Sequence, residues 1–224
     1  LREGLGAGLR GDLDEAWRHG KWAIAQNLVY WLRTQAHTYI SMIFAGPAGV
    51  GLINAARLLI SPILFLIPAV SQIMLPRLAS VSANKRLALR IASTSAGIFL
   101  AMSLTYSAIL LINFKYIARL ALTPNYADIP SVFLLGAIWC AVMCVQVVQT
   151  SFSSLLQALK MFRAWAYENL VAAVAAIIAA TACGATIGIP GAVLGAFIGE
   201  LTLLVLISRH LRKIDSAALD RTGK

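Results

Sequence analysis

Polar residues recur at helical spacing inside long apolar runs. Gln26, Tyr30, Arg33, His37 and Ser41 follow one another at intervals of four, three, four and four, which places them on one face of a helix. Asn54, Arg57, Ser61, Pro68 and Gln72 fit the same period, with Phe65 filling the gap. Gln146, Gln149, Thr150, Ser153 and Gln157 form a third such stripe. These residue types suit recognition more than bond-making. A guanidinium presents donors that match two oxygens of a phosphate or carboxylate at once, and amides and hydroxyls read neutral polar groups.

The chemistry the chain lacks narrows the field. There is no glycine-rich phosphate loop ending in Lys-Ser/Thr, no His-Glu-x-x-His, no cysteine pair at zinc spacing and no nucleophile elbow. No filter-like sequence of a potassium channel is present. No catalytic residue, metal site or cofactor is therefore expected. Cys140, Cys144 and Cys183 all lie in apolar runs and read as small buried hydrophobes.

The elements that carry the stripes follow from composition. Of 224 residues, 59% are hydrophobic and 12% charged, with a mean hydropathy of +0.78. Soluble domains carry about 25% charged residues. A spanning helix needs roughly 20 mostly apolar residues. Six such runs are read here, at about 21–45, 50–75, 87–112, 131–156, 167–187 and 192–207. The expected fold is all-α, a polytopic membrane protein. A segment 1–20 precedes a six-helix bundle at 21–207, and a basic tail at 208–224 follows. Gly46, Pro47 and Gly49 mark a tight turn, as does GIPG between the last two spans. NFKYIARLALTPNYADIP contains a short amphipathic piece suited to a membrane interface. Leu1 is not a Met, so the chain reads as a fragment of a longer protein or a processed one.

The net charge of +10 would suggest nucleic acid in a soluble protein, but here membrane topology accounts for it, and no nucleic-acid partner is expected. With six spans both termini share one side. That side receives the basic terminal segments, Arg77, Lys85, Arg86, Arg90, Lys160 and Arg163; the other receives Lys115 and Arg119. The positive-inside rule then puts both termini in the cytoplasm. Trp22, Trp139 and Trp165 are candidate depth markers, Trp139 the deepest.

Polar groups in lipid must face one another or water. Interhelical hydrogen bonding would satisfy the Gln, Ser and Thr residues. Arg33 and Arg57 lie too deep to snorkel, and two readings stand for them. One is a salt bridge to Glu168 or Glu200, the carboxylates within the spans. The sharper one is a water-filled cationic cavity, lined by Arg33, Arg57, Gln26, Tyr30, His37, Asn54, Gln72, Gln146 and Gln149, that takes an anionic substrate such as a lipid diphosphate. Glu200 is the candidate for ion coupling.

Three prolines interrupt PILFLIPAVSQIMLP. Membrane helices tolerate proline where neighbours or water take up the freed carbonyls. Pro68 and Pro62 are read as hinges and Pro76 as a helix stop. Gly191, Gly195 and Gly199 allow close helix contact, so the alanine-rich last pair is read as scaffold.

The run GVGLINAARLLISPILFLIPAVSQIMLPRLASV, Gly49 to Val81, resembles a recurrent pattern in polysaccharide flippases of the multidrug/oligosaccharidyl-lipid/polysaccharide superfamily. The matching elements are Val50-Gly51, Ala55 to Leu58, and Leu75 to Leu78. The resemblance implies that the chain is the C-terminal half of a two-lobed flippase of the bacterial inner membrane. Its partners would be membrane lipids, the N-terminal six-helix half and a polyprenyl-diphosphate-linked glycan. The implied activity is flipping of an undecaprenyl-diphosphate oligosaccharide by alternating access, for surface polysaccharide biosynthesis. An ion-coupled exporter of drugs or peptidoglycan precursor is the alternative within that superfamily. A non-transporting membrane scaffold or polymerase partner is the alternative outside it.

Overall fold

Two glycines and one proline set the path of the chain. In the computed structural model, which describes residues 2–122 and 130–222, α1 spans Arg2–Leu58 but departs from helical geometry at Gly46, φ 62° and ψ −165°. An L side chain resists that region, and glycine does not. His37 and Arg57 both contact the ring of Trp139, at 4.9 and 5.3 Å. In a straight helix they would stand about 30 Å apart. The chain therefore doubles back at Gly46, between a 2–45 arm and a 47–58 arm. Gly188, φ 74° and ψ −143°, makes the same kind of reversal between α6 (Phe162–Ile187) and α7 (Ile189–Thr222). The two tips meet: a Cβ on Gly49 would fall 3.3 Å from Ile189.

The second break answers the proline question. α1 ends at Leu58 and α2 begins at Ser61, with Pro62 in its first turn. The ring of Pro62 would collide with the carbonyl of Leu58 in a continuous helix. The carbonyl of Leu59, which loses its helical donor, accepts the Tyr106 hydroxyl at 2.6 Å. Pro62 thus starts a helix rather than bending one, so the interruption it makes lies between two helices and not within one. Pro76 does not stop the helix either, because α2 continues to Ser80. Pro68 lies within α2.

α3 (Lys85–Ile112) is capped by Asn84, whose Oδ1 accepts the Leu87 amide at 3.1 Å. α4 (Phe114–Ala121) is short and amphipathic, as expected: Phe114 and Ala118 are buried, while Tyr116 and Leu120 are exposed. The rest of that connection, 123–129, lies outside the described residues. α5 (Pro130–Ala158) is the central helix, and it touches α1, α2, α3 and α7.

Among the described residues six helices are long and apolar enough to cross a membrane, and the chain is an all-α, multi-pass membrane protein. The segmentation differs from expectation in two respects. The second crossing is built from the 47–58 arm and α2 together, with the break at Leu59–Ile60 inside it. α1 also extends back to Arg2 and α7 forward to Thr222, so segments read as non-spanning extensions are helical.

The core has two ends. Ile53, Phe114, Val132 and Leu135 cluster at the end bearing the Gly46 and Gly188 turns. Leu78, Ala88, Leu156 and Leu211 cluster at the other, where the basic connections also fall. The last pair packs as the glycine spacing implied. A Cβ on Gly191, Gly195 or Gly199 would collide with Cys183, Ala180 or Ala176 of α6.

Candidate functional site

The three polar stripes converge. One cavity of about 910 Å³ is lined by α1, α2, α5 and the start of α6. From the first arm of α1 come Gln26, Asn27, Tyr30 and Thr34; the second arm gives Asn54 and Arg57. α2 contributes Ser61, Phe65, Pro68, Ser71 and Gln72, and α5 contributes Gln146, Gln149, Thr150, Ser153 and Gln157. The break at Leu59–Ile60 does not throw the second stripe out of register, because residues on both sides of it face the same space.

Beside apolar Leu58, Leu64, Phe65, Ile67 and Pro68, the polar groups of the wall are amides, hydroxyls, the Trp165 indole and one guanidinium, and among the described residues no carboxylate lines it. Arg57 rests on the Trp139 ring and has no carboxylate partner among the described residues. Several buried polar atoms of residues in the wall lack a hydrogen-bond partner among the described residues: Gln149 Oε1, Ser153 Oγ, Trp165 Nε1 and Asn169 Oδ1. Such atoms are costly to bury unless something bonds them.

Two expected members stand elsewhere. Arg33 is 2% exposed and pairs with Glu200 of α7, Nη1 to Oε2 at 2.7 Å. The contact is a close ion pair whose angle falls short of a hydrogen bond, and Nε and Nη2 find no hydrogen-bond acceptor. Arg33 therefore lies behind the cavity wall, with its guanidinium 5.6 Å from the ring of Tyr30, which does line the cavity. The salt-bridge reading describes Arg33, and the cavity reading describes Arg57. His37 is also withdrawn: it is 1% exposed, edge-on to Trp139, with neither ring nitrogen bonded. Glu200 meets Arg33 and does not line the cavity. Glu168, the other carboxylate, bonds His210 Nδ1 at 2.8 Å near the basic end.

Trp139 is the residue that sequence reasoning undervalued. It is 4% exposed and holds His37 on one arm of α1 and Arg57 on the other. A depth marker would face lipid; this one braces the hairpin. Asn27, Thr34, Ser71, Trp165 and Asn169 also line the cavity without having been singled out for it. Asn169 carried a signal, as the amide that follows Glu168 at the start of an alanine-rich helix. Cys140 is buried, Cys144 and Cys183 are partly buried, and all three are free thiols.

No family model matches the chain, and no curated protein or solved structure matches it either.

Proposed function

We propose that this protein translocates an anionic, lipid-linked oligosaccharide, of the polyprenyl-diphosphate type, across the bacterial inner membrane by alternating access. In this reading the chain is one lobe of a two-lobed flippase and both termini are cytoplasmic. The observation that carries the reading is Arg57: a guanidinium with no carboxylate partner among the described residues, set into a cavity of about 910 Å³ whose other polar groups are amides, hydroxyls and the Trp165 indole. A diphosphate matches the guanidinium fork. Sugar hydroxyls match Gln26, Asn54, Gln72, Gln146 and Gln149. With no carboxylate among its described lining residues, the cavity disfavours cationic drugs as cargo. The charge asymmetry between connections supports the orientation.

The test is a comparison of Arg57→Ala, Arg57→Lys and wild type in cells carrying the full-length protein, with membrane abundance followed in parallel. Surface polysaccharide should be lost in Arg57→Ala at normal abundance and partly regained in Arg57→Lys. Normal polysaccharide in Arg57→Ala overturns the anion cavity.

A further inference from the structure

Arg33, His37 and Ser41 stand on successive turns of α1, in a row about 12 Å long. They are 2%, 1% and 1% exposed. Glu200 of α7 closes one end of the row through its 2.7 Å contact with Arg33. The ring of Trp139, from α5, lies edge-on to His37 in the middle. From there the row runs toward the Gly46 turn.

Along this row polar atoms go unanswered. Nε, Nη1 and Nη2 of Arg33, both ring nitrogens of His37, Oγ of Ser41 and Oε2 of Glu200 make no hydrogen bond among the described residues. Bare polar atoms in such number would consume much of the stability of a folded protein. They are also sealed inside the lobe. They expose essentially no surface, and none belongs to a residue lining the polar cavity, so neither a second lobe nor a molecule in that cavity reaches them. Ala36, Ile40, Ala180 and Ala192 pack together beside the row and carry no polar side-chain group.

The partner must be small enough to sit between packed helices. It must accept from the guanidinium and the hydroxyl, and donate to the carboxylate. Water does both. An added anion does not, because Arg33 and Glu200 already neutralise each other and its charge would face Glu200 uncompensated. A buried water makes about three hydrogen bonds, so about two or three waters satisfy the seven atoms. We propose that a short chain of internal waters is a permanent part of this lobe, bound between α1, α5 and α7 and bridging Arg33, His37, Ser41 and Glu200. The waters complete the solvation of the ion pair and fix the His37 ring. His37 packs on Trp139, and Trp139 lies under Arg57, so the bound water steadies the shelf on which the guanidinium of the cavity rests. The site does not depend on what the cavity carries.

The test is radiolytic footprinting of the full-length protein in detergent. An X-ray pulse makes hydroxyl radicals from water where it stands, and mass spectrometry reads the oxidised side chains. His37 should be oxidised several-fold faster than Met143 and Met74, which are comparably buried but sit in apolar clusters. Methionine is intrinsically the more reactive side chain, so this order requires water beside His37. An unmodified His37, or one oxidised no faster than the two methionines, overturns the proposal. Thermal unfolding of Ser41→Ala is the second measurement. A hydroxyl bonded to water contributes to stability, so this variant should unfold at a lower temperature than wild type. A bare buried hydroxyl is a burden, so an equal or higher unfolding temperature removes Ser41 from the chain of waters and overturns the bridge. Exchange of chloride for gluconate should change neither readout; dependence on the halide overturns the assignment to water in favour of an anion.

Discussion

Arg33 and Glu200 lie on α1 and α7, the first and last helices of the chain, and meet at 2.7 Å with side chains 2% and 6% exposed. The pair ties the polar face of α1 to the scaffold helices, so the charge on Arg33 is spent inside the protein. Removing one partner strands a charge in the interior, at a cost of about 3–5 kcal/mol. Glu200→Gln and Arg33→Leu should each lower the unfolding temperature in detergent sharply. The double variant Arg33→Leu/Glu200→Leu should recover most of the loss. Equal damage in the double variant would show that the pair is more than mutual neutralisation.

Gly46 and Gly97 make a matched contrast. Gly46 sits at φ 62°, where an added Cβ meets no neighbour but the backbone geometry itself resists a side chain. Gly46→Ala should cost about 1–3 kcal/mol, because φ 62° with ψ −165° is a region essentially reserved for glycine. Gly97 lies within α3 with open space around it, and Gly97→Ala should stabilise the helix by about 0.5–1 kcal/mol. Thermal unfolding of the two variants side by side checks the hairpin assignment, since a straight α1 would make both substitutions favourable.

Gly195 packs where no side chain fits, against Ala180 of α6. Gly195→Leu should separate α6 from α7 and destabilise the protein by about 1–3 kcal/mol or more, through overpacking. A cysteine cross-link between the two helices, formed readily in wild type, should form slowly in this variant.

Pro68 lines the cavity from within α2. Pro68→Ala restores a backbone donor and stiffens the helix, so transport should change more than the unfolding temperature does. Unchanged transport removes the hinge role. Pro62 gives the opposite expectation: Pro62→Ala relieves the collision that keeps α1 and α2 apart, and the Tyr106–Leu59 bond at 2.6 Å then competes with a continuous helix.

Tyr106→Phe removes that bond and leaves the Leu59 carbonyl unpaired in an apolar setting. The expected loss is about 1–3 kcal/mol, read by unfolding in detergent. A neutral result would mean that the break holds by the proline alone.

Hydropathy and period carried the sequence a long way. Apolar runs of spanning length can only be helices in lipid, because each backbone group must be satisfied within its own segment, and this determined the all-α fold and the six spans. A polar residue every three or four positions in such a run must face inward, which determined that Gln26, Asn54, Gln72, Gln146 and Gln149 would share a space. The tertiary structure alone decided which arginine faces that space. Arg33 and Arg57 carry the same charge on stripes of the same period, and periodicity cannot say what stands opposite. Glu200, far along the chain, takes Arg33, while Trp139 lies under Arg57 without neutralising it. Long-range pairing depends on the positions of α5 and α7 beside α1, and no local pattern encodes them.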